Sequence, residues 1–169
     1  MRRIAPIVVV FLAIASLLIV IEARPAFPDP DSFYHARMAV MIRDVGFIRT
    51  FPWLSETVLA KSYVDHHMLY HILLIPFVTV FDPMVGMKVA AALFGVIAFY
   101  ALYRLLKAMK APCPEWLTLV AALSSSFLYR MSLPRAPSLS IALLIAAVWA
   151  LIAKKPRWVL KKNREVRPI

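Results

Sequence analysis

Two short stretches hold most of the side chains able to move protons, bind a metal or grip an anion. The first, Asp29-Pro30-Asp31-Ser32-Phe33-Tyr34-His35-Ala36-Arg37, begins eight residues after an uncharged apolar run ends, and the second is Asp65-His66-His67-Met68-Leu69-Tyr70-His71. On a helix starting at Asp31, residues 31 and 35 share a face one turn apart, so a carboxylate and an imidazole can meet one ion or one substrate group. His67 and His71 have the same spacing, with Asp65 and His66 just ahead of them. Such sets suit general-base work or a divalent cation. Oxygen and imidazole donors accommodate manganese, magnesium or zinc, and Asp31, His35, His66 and His67 are the candidate ligands. The plainer reading makes Asp31 a helix N-cap and leaves His35 at the water interface. Two acid and histidine clusters in one segment exceed what interface anchoring needs, since Trp, Tyr, Lys and Arg ordinarily do that work.

The elements that must position these residues are apolar. The chain has 169 residues, is 62% hydrophobic and has a mean hydropathy of +0.76, which places it in a bilayer. Residues 4–21 are uncharged and follow Arg2-Arg3, which reads as a retained membrane anchor rather than a cleaved signal peptide. Its single cysteine, Cys113, excludes an intramolecular disulfide and reads as a small buried apolar residue. The net charge of +11 is better explained by cytoplasmic loops and anionic lipid than by nucleic acid, because the cations cluster beside apolar segments.

Later apolar segments cover residues 68–81, 85–106, 116–130 and 137–153. Counting all of them as spans would put the basic turn 104–114 and the basic tail outside, against the positive-inside rule. Treating 68–81 as interfacial or re-entrant leaves four spans, at about 4–21, 85–106, 116–130 and 137–153, with both termini cytoplasmic. The expected fold is therefore an all-α polytopic membrane protein of the cell or plasma membrane. Its long extracytoplasmic first loop, 22–84, carries interfacial helices, and residues 154–169 form a basic cytoplasmic tail. That loop holds seven of the nine acidic residues and all four histidines, so chemistry belongs there. A helix from about Pro30 to a stop at Gly46 is expected within it, followed by an irregular stretch resting Phe51 and Trp53 in the headgroup layer.

Arg130 and Arg135 bracket the turn between the third and fourth spans, against the charge trend for an outer turn. They can be a guanidinium pair for a phosphate, or partners of a loop carboxylate or a lipid headgroup.

Asp31-Ser-Phe-Tyr34-His35-Ala-Arg37 resembles the Asp-x-x-Tyr-His-x-Arg segment in the first outer loop of GT-C glycosyltransferases, above all the oligosaccharyltransferase catalytic subunits. The order of anchor helix, long outer loop and helical hairpin with a basic outward turn is similar as well, over residues 4–153. The resemblance implies sugar transfer from a polyprenyl-phosphate-linked donor to an extracytoplasmic acceptor. It makes Asp31 the first catalytic candidate and Asp65 a second acidic group, with Tyr34, Arg37, Arg130 and Arg135 toward substrate. The stretch Arg130-Met-Ser-Leu-Pro-Arg135 departs from the family by lacking the acidic pair that completes its metal site. Family members also have about twice as many spans, which implies an N-terminal portion, a truncated product or a piece needing a partner subunit. The alternative is a non-enzymatic multi-span protein whose outer loop binds a partner or metal. No charge lies mid-span, which weakens a transport reading.

Overall fold

The computed structural model describes residues 4–153, and the basic tail expected at 154–169 lies outside the described residues. Among the described residues there are seven α-helices and no strand: α1 (Ile4–Glu22), α2 (Pro30–Val45), α3 (Met68–Val80), α4 (Pro83–Ala108), α5 (Pro114–Leu123), α6 (Ser125–Ser132) and α7 (Pro137–Ala153). A single 3₁₀ turn, Val58–Ala60, interrupts the segment between α2 and α3.

α1 and α4 are long and apolar enough to cross a membrane; α6 and α7 together make a third candidate if their 108° bend is read within one span. At 1.5 Å per residue the 19 residues of α1 give about 28 Å, close to the hydrocarbon thickness. α1 buries the stripe Val10, Ile14 and Leu18 and leaves Val8, Val9, Leu12 and Ile19 exposed, an apolar outer face that suits lipid. α3, expected to be too short to span, has 13 residues, or about 20 Å.

The apolar segment expected over 116–130 as one span is two helices, α5 and α6, parted at Ser124. Ser124, Ser125 and Ser126 follow one another there, and serine hydroxyls compete with the helical hydrogen-bond ladder. Pro134 and Pro137 flank the next break, where a missing N–H and ring sterics disfavour continuation of α6 into α7.

α4 is the axis, packing against each of the other six α-helices. Its buried Gly86, Ala90, Ala91, Gly95 and Ala98 give it a thin profile. A Cβ placed on Gly86 would lie 2.5 Å from the Phe77 carbonyl oxygen of α3, and one on Gly95 would lie 3.0 Å from the Met131 carbonyl oxygen of α6. Close approach through small residues is how apolar helices gain contact in a bilayer, where lipid is as apolar as leucine.

Two local expectations change. Asp29, not Asp31, is the N-cap of α2, because Pro30 takes the first helical position; the Asp29 carboxylate accepts from the Ser32 backbone N–H at 3.2 Å and from Ser32 Oγ at 2.8 Å. Cys113 is exposed rather than buried, held at φ +46° between Pro112 and Pro114 in the turn before α5. The stop at Gly46 holds, with φ +82° and its N–H on the Ile42 carbonyl.

Replacing Gly86 with alanine forces the backbones of α3 and α4 apart. A loss of roughly 1–3 kcal/mol is expected for such overpacking, read as a lower thermal midpoint of the detergent-purified protein. An unchanged midpoint would remove the close α3–α4 approach as a determinant of the fold.

Candidate functional site

α2 and α3 meet through imidazoles. His35 on α2 and His71 on α3 are both buried, and His35 Nδ1 lies 2.8 Å from His71 Nε2. On its other side His71 Nδ1 lies 2.6 Å from Asp65 Oδ2. The remaining Asp65 oxygen accepts the His67 backbone N–H at 2.9 Å, so this carboxylate both shapes the turn into α3 and orients His71. The result is a linear chain, Asp65–His71–His35. With Asp65 ionised it accepts the His71 Nδ1 proton; a neutral His71 then accepts the His35 Nδ1 proton, leaving a lone pair on His35 Nε2.

Aromatic rings enclose the chain. Tyr34 places its ring 5.7 Å from that of His71 and shares a hydroxyl–hydroxyl hydrogen bond with Tyr63. Tyr70 stands edge-on to His35 at 5.3 Å, with its buried hydroxyl unpartnered among the described residues. Burial, more than the positive charges that His71, His67 and Arg135 can present, pushes the basicity of His35 down to about 3, so this imidazole is neutral at pH 7. Burial likewise raises the Tyr34 and Tyr63 hydroxyls above the usual phenol range, and both stay protonated donors.

A second contact joins opposite ends of the chain. Arg135, from the turn between α6 and α7, places Nη2 2.5 Å from Asp31 Oδ2 and Nη1 3.8 Å from Asp29 Oδ1. The Asp31 side chain is 55% exposed, whereas Arg135 Nε is buried without a partner among the described residues. Lys88 Nζ donates to the Arg24 carbonyl at the same end of α4, tying it to the segment between α1 and α2.

The expected site residues therefore divide. Asp31, Tyr34, His35, Asp65, His67 and Arg135 gather at one end of the helical layer, where the His67 ring is 5.1 Å from that of His35. His66 is exposed, with its ring 4.4 Å from that of His67. Arg37 points away, into a cleft of about 590 Å³ between the outer face of α2 and the Phe47–Trp53 stretch. Arg130 is exposed on α6, and Arg135 alone of the two meets a loop carboxylate. Among the described residues no group of three or more His, Cys, Asp or Glu side chains is arranged to hold a metal ion. The ring nitrogens of His71, His35 Nδ1 and the Asp65 carboxylate engage one another, and Asp31 engages Arg135.

His71 and Tyr63 are the residues that sequence spacing undervalued. His71 stood out only as one turn beyond His67, and nothing local distinguishes Tyr63 except its place two residues before Asp65. Compared with protein-family models, curated proteins and solved structures, the chain matches none.

The depressed basicity of His35 sets a pH dependence. Between the ordinary histidine value near 6.5 and the folded value of about 3, the unfolded chain binds the proton that the folded chain refuses. The contribution of His35 is thus fully present above pH 6.5 and is lost as pH falls through that window. Thermal midpoints measured from pH 7.5 to 4.5 are expected to fall, and His35→Asn is expected to flatten the slope. Equal slopes for both proteins would contradict a neutral, buried His35.

Proposed function

We propose that this chain is a membrane-embedded sugar transferase of the GT-C kind, or the N-terminal part of one, using a polyprenyl-phosphate-linked donor. The observation that supports it most is the Asp31–Arg135 pair, which joins an exposed first-loop carboxylate to a guanidinium from the α6–α7 turn. A lipid-phosphate donor competes for Arg135 because a guanidinium binds phosphate oxygens with two parallel hydrogen bonds. Arg135 then exchanges Asp31 for phosphate and frees the carboxylate at the moment an acceptor needs a base. The acceptor oxygen attacks the anomeric carbon as the bond from that carbon to the phosphate oxygen breaks. The acceptor proton passes to Asp31, and the charge developing on the leaving phosphate is met by Arg135.

Asp65, His71 and His35 act at one remove, as positioning residues. They lock α2 to α3 and so hold Asp31, at the start of α2, against the α6–α7 turn. Tyr34 belongs to the same wall through Tyr63. The proposed topology has both termini cytoplasmic, α5 and α6 together making a broken third crossing, and α3 lying at the outer interface. A specific observation also favours the non-enzymatic reading: Asp31 pairs with Arg135, and Asp65 with His71 and through it His35, so much of the polar capacity of these groups is spent on holding the helices together.

Transfer of a radiolabelled sugar from a polyprenyl-phosphate donor to acceptor, in membranes containing the full-length protein and any partner subunit, separates the two readings. Asp31→Asn is expected to lower the rate at least about 100-fold, the scale of a lost general base, with membrane insertion unchanged. Transfer at wild-type rate in this variant would end the catalytic role of Asp31. Absence of transfer by the wild-type protein, with a stable partner complex recovered instead, would favour the non-enzymatic protein.

Sidedness has its own test. The natural Cys113 and, in a Cys113→Ser background, an introduced Ser55→Cys are both at exposed positions. An impermeant maleimide is expected to reach residue 55 from outside and residue 113 only after permeabilisation. Labelling of both from one side would overturn the topology.

A further inference from the structure

At the opposite end of α4, two cavities adjoin. One, of about 450 Å³, is lined by Ile7 on α1, Tyr100, Tyr103, Arg104 and Lys107 on α4, and Trp149 on α7. The other, of about 260 Å³, lies between α4 and α7 and is lined mainly by apolar side chains, among them Ile97, Leu139, Leu143 and Ala146. Tyr100, Arg104 and Trp149 line both. The apolar cavity follows α4 from Ile97 to Arg104, about 10 Å at helical rise. Arg104 lies about 24 Å along α4 from Lys88, so this region is remote from the Asp31–Arg135 pair and independent of its function.

The cations here are held on aromatic faces. The Arg104 guanidinium carbon is 5.0 Å from the Trp149 ring and 5.7 Å from the Tyr100 ring, and Lys107 Nζ is 5.8 Å from the Tyr103 ring. Arg104 donates one hydrogen bond to the Tyr100 hydroxyl at 3.0 Å. Among the described residues no carboxylate pairs with either cation. Stacking on a ring leaves the in-plane N–H edge of a guanidinium able to meet an anion.

The geometry points to a binding site for an anionic phospholipid of the bilayer leaflet at this end of the molecule, with its phosphate headgroup at Arg104 and Lys107 and an acyl chain in the α4–α7 groove. Two features select a lipid over a soluble anion. The cationic pocket and the apolar groove share three side chains, so one ligand with a charged head and an apolar tail fills both. Trp149 and Tyr100 at the junction are the residue types that settle at the headgroup boundary. Basic pockets between membrane helices recognise anionic headgroups by the same chemistry.

Native mass spectrometry of the full-length, detergent-purified protein tests this, with dioleoyl phosphatidylglycerol, dioleoyl phosphatidylcholine and inorganic phosphate as probes. The wild-type protein is expected to retain phosphatidylglycerol at least about tenfold more than phosphatidylcholine, and Arg104→Gln with Lys107→Gln to remove that preference. Ala146→Phe, which fills the groove from an exposed position without changing charge, is expected to lower retention of both lipids. The same lipid ratio in wild type and double variant, unaltered retention in Ala146→Phe, phosphate displacing phosphatidylglycerol as effectively as the lipid itself does, or a lipid-free dimer would each overturn the site. If the double variant does not fold, Lys107→Gln alone, at an exposed position, replaces it; an unchanged lipid preference there is equally decisive.

Discussion

Everything in this molecule depends on how closely helices approach α4. Lipid tails solvate leucine as well as another leucine does, so apolar helices in a bilayer gain little from burying large side chains and more from close backbone packing. α4 supplies a narrow stripe, Gly86, Ala90, Ala91, Gly95 and Ala98, against which α3, α6 and the Leu18 side chain of α1 close in. α7 and α5 then complete the shell around the same 26-residue rod. Because α3 is pressed onto α4 and α2 onto α3, the imidazoles of α2 and α3 are brought to hydrogen-bond distance within an otherwise apolar layer.

That polar chain is costly unless every member is satisfied. A buried donor or acceptor left alone costs more than a made hydrogen bond gains. Here Asp65 uses both oxygens and His71 both nitrogens, so the two helices lock in one register. His35 is kept neutral by the same burial, and the Tyr34–Tyr63 hydroxyl pair closes the wall toward the segment before α3. Arg135 contributes the remaining strand of this organisation: its pairing with Asp31 ties the turn between α6 and α7 to the start of α2. Rigidity of the layer and placement of an exposed carboxylate beside a guanidinium are thus one arrangement.

The two ends of α4 differ in chemistry. Acids and histidines collect near Lys88 together with Arg24 and Arg135, and side-chain pairs dominate there. Arginine and lysine on aromatic faces collect near Arg104, where no carboxylate meets them among the described residues. Charge segregation of this kind orients a protein in a bilayer, since anionic lipid and the insertion machinery both favour cations on one side.

Local chemistry made several elements legible from residues alone. The apolar run after Arg2-Arg3 is α1, the run expected at 85–106 lies inside α4, that at 137–153 is α7, and Gly46 ends α2. These follow from length, periodicity and a positive φ, which are properties of neighbouring residues. The same local reading erred where neighbours compete: Pro30 moved the cap of α2 to Asp29, three serines parted α5 from α6, and two prolines exposed Cys113. The pairing of the candidate site was legible only in part. The sequence determined that acids and histidines share one segment and that Arg135 stands apart from them; spacing suggested His67 with His71, yet His71 turns to Asp65 and to His35, 36 positions away. Only the tertiary structure decided those partners, because a side chain meets whatever the helix-packing distance and angle present, and the packing of α2 on α3 joins residues that no local spacing relates.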